Sequence, residues 1–335
     1  MQKRTLLKSL SFTAIALALC GTAHAQWKPT HPITVIVPWA AGGSTDQVTR
    51  VTAAEIEKAL GQKVVIVNQP GASGSIGSKS ALDAAKDGYT WAAGAAQDLG
   101  SYETLGMLKT RIQDWHLFLN VANVQLIGVN AGAPYKTAKD LLDAMKAKPG
   151  QITVATAGVT SAGHNAMELI SKNTAVKYRH VTYDGGNPAV VATVAGETEV
   201  TTQLAVEQAD MIRGKRIRPL ATVSDKALEL EGFGTIEPLS NTLPGFKAPA
   251  NYFGIFIPKG VPDEVVKTVE KIWVDNISKS DVLKKYATSR GALFAPLYGA
   301  EAQTAVMPAV QANAWLLFDS GKAKVSPETL GIAKP

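Results

Sequence analysis

Cysteine is nearly missing from this chain: one residue in 335, Cys20, and it falls in an N-terminal stretch that reads as a leader rather than as part of the fold. Lys3, Arg4 and Lys8 make a basic start, Leu10 to Leu19 an apolar core, and Ala23-His24-Ala25 an A-x-A site ahead of Gln26. This is the pattern of a secretory signal peptide cut after Ala25. With no thiol left, the exported chain has no disulfide, no thiolate nucleophile and no cysteine-held metal. Leu19, just before Cys20, is too large for a lipoprotein signal. Clustered metal ligands are absent as well: His31, His116, His164 and His180 remain after cleavage, and none lies three to five residues from another or beside an acidic cluster. Past the leader no run reaches the roughly 18 continuous apolar residues of a membrane helix. An excess of one charge is also lacking, because losing the leader's three cations lowers the formal charge from +6 to +3, which gives no argument for nucleic acid. These absences leave a soluble protein of the periplasm or cell exterior, 310 of the 335 residues long after cleavage, expected to be monomeric and to carry no cofactor. At 46% hydrophobic, that length can bury sizeable cores and favours two domains.

What is present is an alternation of strands and helices punctuated by glycine loops. The first unit organises the rest. An apolar run, Ile33 to Val37, leads through Pro38-Trp39-Ala40-Ala41-Gly42-Gly43-Ser44-Thr45-Asp46 into a periodic segment with apolar residues at Val48, Val51, Ala54, Ile56 and Leu60. A strand that turns into a helix aims the helix's first unpaired N–H groups at one point, where an anion fits. Gly42 and Gly43 allow close backbone approach, and Ser44, Thr45 or Asp46 is placed to cap the helix. An ordinary strand–turn–helix joint has the same local sequence, so the remaining chain has to decide.

A β-branched run, Val64 to Val67, suits a parallel strand covered on both faces, and leads into a second glycine loop, residues 68–77, and a helix through Ala84. Its spacing is G-x-x-G-x-x-G, not the G-x-G-x-x-G of a dinucleotide site. A third strand, Thr90 to Ala93, ends in a loop, Gly94 to Asp98, in which Gln97 is a candidate donor. Ligands of open parallel sheets bind beyond the carboxyl ends of the strands, where all these loops would lie. Strands at residues 117–121 and 125–129 follow, then a helix capped by Thr137. The opening motif then recurs: strand Ile152 to Ala155, loop Thr156 to Gly163, helix from His164. Further alternation runs to a strand at residues 218–223, a Gly/Pro-rich return at residues 233–249, a strand at 251–258, two amphipathic helices, a strand at 293–296 and a last helix from about Ala300 to Asp319. The pattern predicts an α/β protein with mixed or parallel sheets covered on both faces, and the repeated motif predicts two facing lobes.

The candidate loops share hydroxyls, glycines and helix starts without clustered Arg or Lys. Several N–H and O–H donors aimed at one oxygen serve a carboxylate without a formal cation. Ser161 next to His164 raises the alternative of an exported hydrolase, although G-x-S-x-G is missing and no acid is marked as third partner.

The series Pro32-Ile33, Ile36-Val37-Pro38, Gly42-Gly43-Ser44-Thr45-Asp46, Leu60-Gly61-Gln62, Asn68-Gln69-Pro70-Gly71-Ala72 and Asp87-Gly88-Tyr89-Thr90 resembles the Bug-type (TctC-like) receptors of tripartite tricarboxylate transporters. Similarity continues through Lys148-Pro149-Gly150, Ala157-Gly158, Ser161-Ala162-Gly163-His164, Tyr183, Gly185, Pro188-Ala189 and Pro258-Lys259-Gly260-Val261-Pro262. The resemblance implies a two-lobed periplasmic-binding-protein fold of type II-like form, with a small carboxylate, often a dicarboxylate, held in the interlobe cleft. It implies lobes of residues 26–124 plus 247–335 and 125–246, and delivery to the transporter's membrane subunits rather than catalysis. Presentation of the ligand to a membrane sensor kinase is a third alternative. Carried over, the site is Trp39, Ala40, Gly43, Ser44, Thr45 and Asp46 from the first loop, Gln97, then Thr156, Ala157, Gly158, Thr160, Ser161 and His164, with Tyr183 and Gln203. Gln203 stands where the family commonly has aspartate, which removes an acceptor for a ligand ammonium and argues against an amino acid. Trp39 in place of the family's phenylalanine, and Ala95 and Ala96 in place of hydroxyls, point to a dicarboxylate with an apolar or aromatic middle, such as terephthalate.

Overall fold

The computed structural model describes residues 27–335, so the leader and its cleavage site lie outside the described residues. Two sheets divide the chain. The first joins β1 (Ile33–Val37), β2 (Val64–Asn68), β3 (Thr90–Ala95), β4 (Trp115–Asn123), β12 (Asn251–Pro258) and β13 (Ala292–Tyr298) in the order β13-β4-β12-β3-β1-β2. β1 runs parallel to β2 and β3, with Val35 opposite both Ile66 and Trp91, whereas β12, β4 and β13 pair antiparallel. The second sheet has β5 (Leu126–Asn130), β6 (Thr153–Thr156), β7 (Arg179–Thr182), β8 (Val200–Thr201) and β9 (Ile217–Thr222) in the order β7-β6-β8-β5-β9, again mixed. A hairpin, β10 (Leu228–Leu230) with β11 (Gly234–Ile236), leads into the Gly/Pro-rich return, where the sequence showed no strand pattern. Three-residue strands are too short to show periodicity.

The strand alternation of two residues decides which core each side chain joins. Ile33, Val35 and Val37 of β1 face one core with α1 (Ser44–Leu60), α8 (Asp263–Asp275) and α9 (Asp281–Arg290). Ile36 faces the other with α2 (Ser75–Asp83), α3 (Ala96–Ser101) and α10 (Gly299–Asp319). The second sheet is covered on one face by α4 (Ala138–Ala147) and α5 (Ala162–Thr174), through Leu141, Met145, Met167 and Ile170. On the other lie α6 (Gly186–Ala195), α7 (Ala205–Arg213) and the hairpin, through Val190, Ala209, Ile212 and Leu230. Buried tryptophans keep their N–H groups paired: Trp91 donates to Gly88 O, Trp115 to Thr110 Oγ1 and Trp273 to Leu119 O.

Helix α10 touches both halves of the molecule. Lys172 of α5 pairs with Asp319 at 2.7 Å, and Lys322, just beyond α10, pairs with Glu168 of α5 at 2.9 Å. The Gly94 to Asp98 loop of the sequence reading is instead the end of β3 and the first turn of α3. Small residues there, Ala93 to Ala96, carry no turn signal and fit between β12 and α10 without interrupting the strand.

Candidate functional site

The two sheets present their loop ends to each other, and the joint from β1 to α1 sits at the centre. Helix α1 starts at Ser44 with Gly43 as its cap residue and no local side chain on its first amides. Asp46, expected as a cap, instead accepts the Gly42 N–H at 2.9 Å and the guanidinium of Arg50 through both oxygens. The Arg50 fork and these bonds hold its carboxyl below the ordinary range against the opposing effect of burial. The Ser44 N–H is taken from across the cleft: Glu207 Oε1 of α7 accepts it at 2.9 Å. The helix start is therefore capped by a carboxylate from the other half of the chain.

Three helix starts converge on this cleft. The first intrahelical bonds are Gln47 N–H to Gly43 O, Asn165 N–H to Ser161 O and Ala189 N–H to Gly185 O. The amides of Thr45 in α1, Ala162 in α5 and Gly186 in α6 consequently have no helical acceptor. Ser161 caps α5 by accepting the His164 N–H at 3.2 Å and donates its own proton to Gly158 O at 2.7 Å. The walls between these polar points are apolar, formed by Trp39, Ala95, Ala157, Leu204 and Phe253, and the cleft measures about 350 Å³ including its open mouth. Around it the halves are closed on each other: Ala40 N–H donates to Asp184 O at 3.0 Å, Val159 N–H to Ser73 Oγ at 3.2 Å and Thr160 Oγ1 to Ser73 O at 2.8 Å.

Two carboxyls that were not among the expected site residues line the same cleft. Asp98, in the first turn of α3, is 4% exposed, and its Oδ1 has no partner. Burial pushes it well above the ordinary carboxylate range, opposed by the Trp39 indole N–H. Glu207 is 8% exposed, and its Oε2 accepts the Leu204 N–H at 3.2 Å. Burial raises its pKa too, opposed by the amides of Ser44 and Leu204 and by the Ser44 hydroxyl. In the amide orientation that satisfies both its ends, Gln203 donates to Glu207 Oε2 at 3.0 Å and accepts the Ala157 N–H at 2.6 Å. Glu207 has the local signature of an acid three residues into a helix, turning back on the residue before it, which says nothing about the opposite lobe.

Of the sequence-predicted residues, Trp39, Gly43, Ser44, Thr45, Ala157, Ser161 and Gln203 line the cleft together, with Gly186, Asp98 and Glu207 added. The remaining ones are placed outside its lining. Ala40 and Gly158 serve the contact between the halves through backbone. Asp46 faces Arg50, and the Thr160 hydroxyl goes to Ser73. Gln97 is buried with its Nε2 unpartnered. Thr156 bonds His180 Nε2 at 2.6 Å, and Tyr183 reaches Glu197. His164 is 1% exposed, stacks on His180 at 4.3 Å and has Lys322 Nζ 3.2 Å from its Nε2. Its bond to Ser161 is through the backbone N–H, so no base meets the Ser161 hydroxyl and the Ser/His hydrolase loses its dyad. No group of three metal-ligating side chains occurs among the described residues.

Comparison with known proteins adds the following. The sequence profile described as "Tripartite tricarboxylate transporter family receptor" matches residues 48–313. The UPF0065 protein in the tcbD-tcbE intergenic region of a Pseudomonas species is 31% identical over 261 residues, 76% of each chain. The solved periplasmic binding protein BugD superposes with a TM-score of 0.80 at 22% identity, covering 88% of this chain and 99% of BugD. MatC of Rhodopseudomonas palustris with bound malate superposes with a TM-score of 0.78 at 23% identity, covering 86% and 99%. At these identities the two structures speak to fold alone, and the fold is the two-lobed one of periplasmic binding proteins.

Proposed function

Because this chain belongs to the family of tripartite tricarboxylate transporter receptors, we propose that it captures a small carboxylate in the cleft between its lobes and delivers it to the membrane subunits of such a transporter. The family is one of binding receptors, not of enzymes. The work would be done in the periplasm, after cleavage at Ala25, by lobes of residues 26–124 plus 247–335 and 125–246. One observation carries this reading: helix starts from both lobes, at Thr45, Ala162 and Gly186, aim unpaired amides into one apolar-walled cleft. A carboxylate there would collect hydrogen bonds to a charged group, each contributing on the order of 1.5–3 kcal/mol. Gly43, Ser44, Thr45, Ala157, Ser161 and Gln203 form the polar lining in this reading, and Trp39 with Phe253 supports a ligand with an apolar or aromatic body.

The test is thermal melting of the purified receptor against aliphatic, hydroxylated, aromatic and amino carboxylates, with malate and terephthalate among the dicarboxylates. A ligand at 100 times its dissociation constant adds about 2.7 kcal/mol of stability. A shift by one class, with the compound recovered unchanged, is the expected outcome. No shift across the panel would sink the reading, and consumption of the compound would restore the hydrolase.

A further inference from the structure

Two of the three helix starts at the cleft bring no cap of their own. Gly43 precedes α1 and Gly185 precedes α6, and neither offers a side chain to the first amides, whereas Ser161 caps α5. The two uncapped starts meet: a Cβ on Gly43 would lie 3.8 Å from Gly186 N and 3.5 Å from Glu207 Oε1. Glu207 fills the place where they meet. Its carboxyl stands where a Cβ on Gly186 would go, 2.0 Å from Oε1 and 2.2 Å from Cδ and Oε2, so glycine at this position is what leaves room for it. Three donors point at the carboxyl: the Ser44 N–H at 2.9 Å, the Leu204 N–H at 3.2 Å and the Gln203 amide at 3.0 Å. This one group does not use up the cleft, because Asp98 Oδ1 is buried in its wall without a partner.

A seat for a carboxyl between two helix starts is what α1 and α6 offer a ligand, and the chain's own carboxyl is in it. We propose that Glu207 is an internal competitor: its carboxyl stands in for a ligand carboxylate on Ser44, and the ligand binds by displacing it. This inference rests on the carboxylate-receptor reading above and adds how that site is controlled. The displacement is local. Leu204 and Gln203 lie just ahead of α7 in the same lobe as Glu207, so the carboxyl keeps both donors on Oε2 when Oε1 gives up Ser44. The ligand gains only the difference between its own hydrogen bonds and the one it replaces. Glu207 also joins the lobes through Ser44, and a contact that favours the closed state before ligand enters lowers the measured affinity further. A cap and a competitor therefore predict opposite signs: if Glu207 only held the lobes together for the ligand, removing it would weaken binding, whereas removing a competitor strengthens it.

Glu207→Ala tests it in two ways on the purified receptor. In thermal melts, acetate is a carboxylate with no body of its own, and chloride at the same ionic strength is the control. Acetate is expected to raise the midpoint of Glu207→Ala by a few degrees and to leave the parent protein where it was, because only the variant has an open seat. In calorimetric titration with malate and terephthalate, any dicarboxylate that binds the parent is expected to bind Glu207→Ala about tenfold or more tightly. Glu207→Gln keeps the volume and one acceptor oxygen and should fall between the two; where the alanine variant fails to fold, its affinity against the parent's decides. Acetate acting equally on parent and Glu207→Ala, or an affinity unchanged or lower in the variants, overturns the proposal, makes Glu207 a structural cap and leaves the carboxylate receptor intact. If no dicarboxylate binds the parent or either variant, the receptor reading falls and the competitor with it.

Discussion

A carboxylate buried without a cation is the costliest kind of side chain to place, and its surroundings show what it needs. Glu207 is held by the amides of Ser44 and Leu204, and the one position that could crowd it, at 2.0 Å, is Gly186. Gly186→Ala is therefore expected to push Glu207 off Ser44, exposing a buried acid without its donors. The expected cost is about 1–3 kcal/mol in chemical denaturation; an unchanged midpoint would show that the carboxyl has another seat. This residue was not legible in the sequence as part of a site. Glu207 sits 163 positions from its partner Ser44, and its own neighbours mark it only as an acid in the first turn of a helix. Asp98 was placed in a loop, Gly94 to Asp98, because the run of alanines before it hid the start of α3. Ser44 and Ser161 were legible, since a small hydroxyl after a glycine loop and before an apolar period marks a helix start by local chemistry alone.

Secondary elements bring these residues to the cleft through their ends. α1 borrows its cap from the other lobe, whereas α5 carries its own in Ser161. Ser161→Ala should therefore lower stability by the cost of a lost cap, about 0.5–2 kcal/mol. It should also weaken carboxylate binding, because the same hydroxyl fixes Gly158 and the first amides of α5. Melting with and without ligand separates the two effects, and unchanged affinity would remove Ser161 from the site. The strands and helices themselves were largely visible, from Ile33–Val37 to Asn251–Pro258, because β-branched runs and 3.6-residue periods are properties of adjacent residues. The β10–β11 hairpin was not: its strands are three residues long and pair with each other in a sheet of their own.

Whole-molecule behaviour depends on how the lobes meet. Gly158 has φ +120, and a Cβ there would lie 2.7 Å from Ser73 Oγ on the opposite lobe. Gly158→Ala is expected to strain the loop by about 1–3 kcal/mol and hold the lobes apart. Small-angle scattering should then give a larger radius of gyration and titration a weaker affinity; an unchanged radius and affinity would show that this contact does not set closure. A second contact predicts a pH dependence. Burial, followed by the neighbouring charge of His180 and of Lys322, holds His164 well below the ordinary histidine value of 6.5, and burial with Lys322 lowers His180, which Glu168 opposes. The folded chain keeps both rings neutral while the unfolded chain takes up protons below about 6.5, so this contribution is complete above that pH and lost as pH falls. Denaturation midpoints measured from pH 8 down to pH 5 should fall below about 6.5, at up to roughly 1.4 kcal/mol per pH unit for each histidine. His164→Asn should flatten the profile.

The sequence by itself determined the succession of strands and helices, the glycine loops that face one another and the hydroxyls that begin the helices. Each of these is written in residues a few positions apart, where propensity, periodicity and capping act. Only the tertiary structure decided that Ser44 is capped by Glu207, that Asp98 is buried in the cleft wall with its Oδ1 unpartnered, and that His164 turns away to stack on His180. Charge and desolvation act through space between groups far apart along the chain, so the polarity of a closed cleft exists only once both lobes have folded around it.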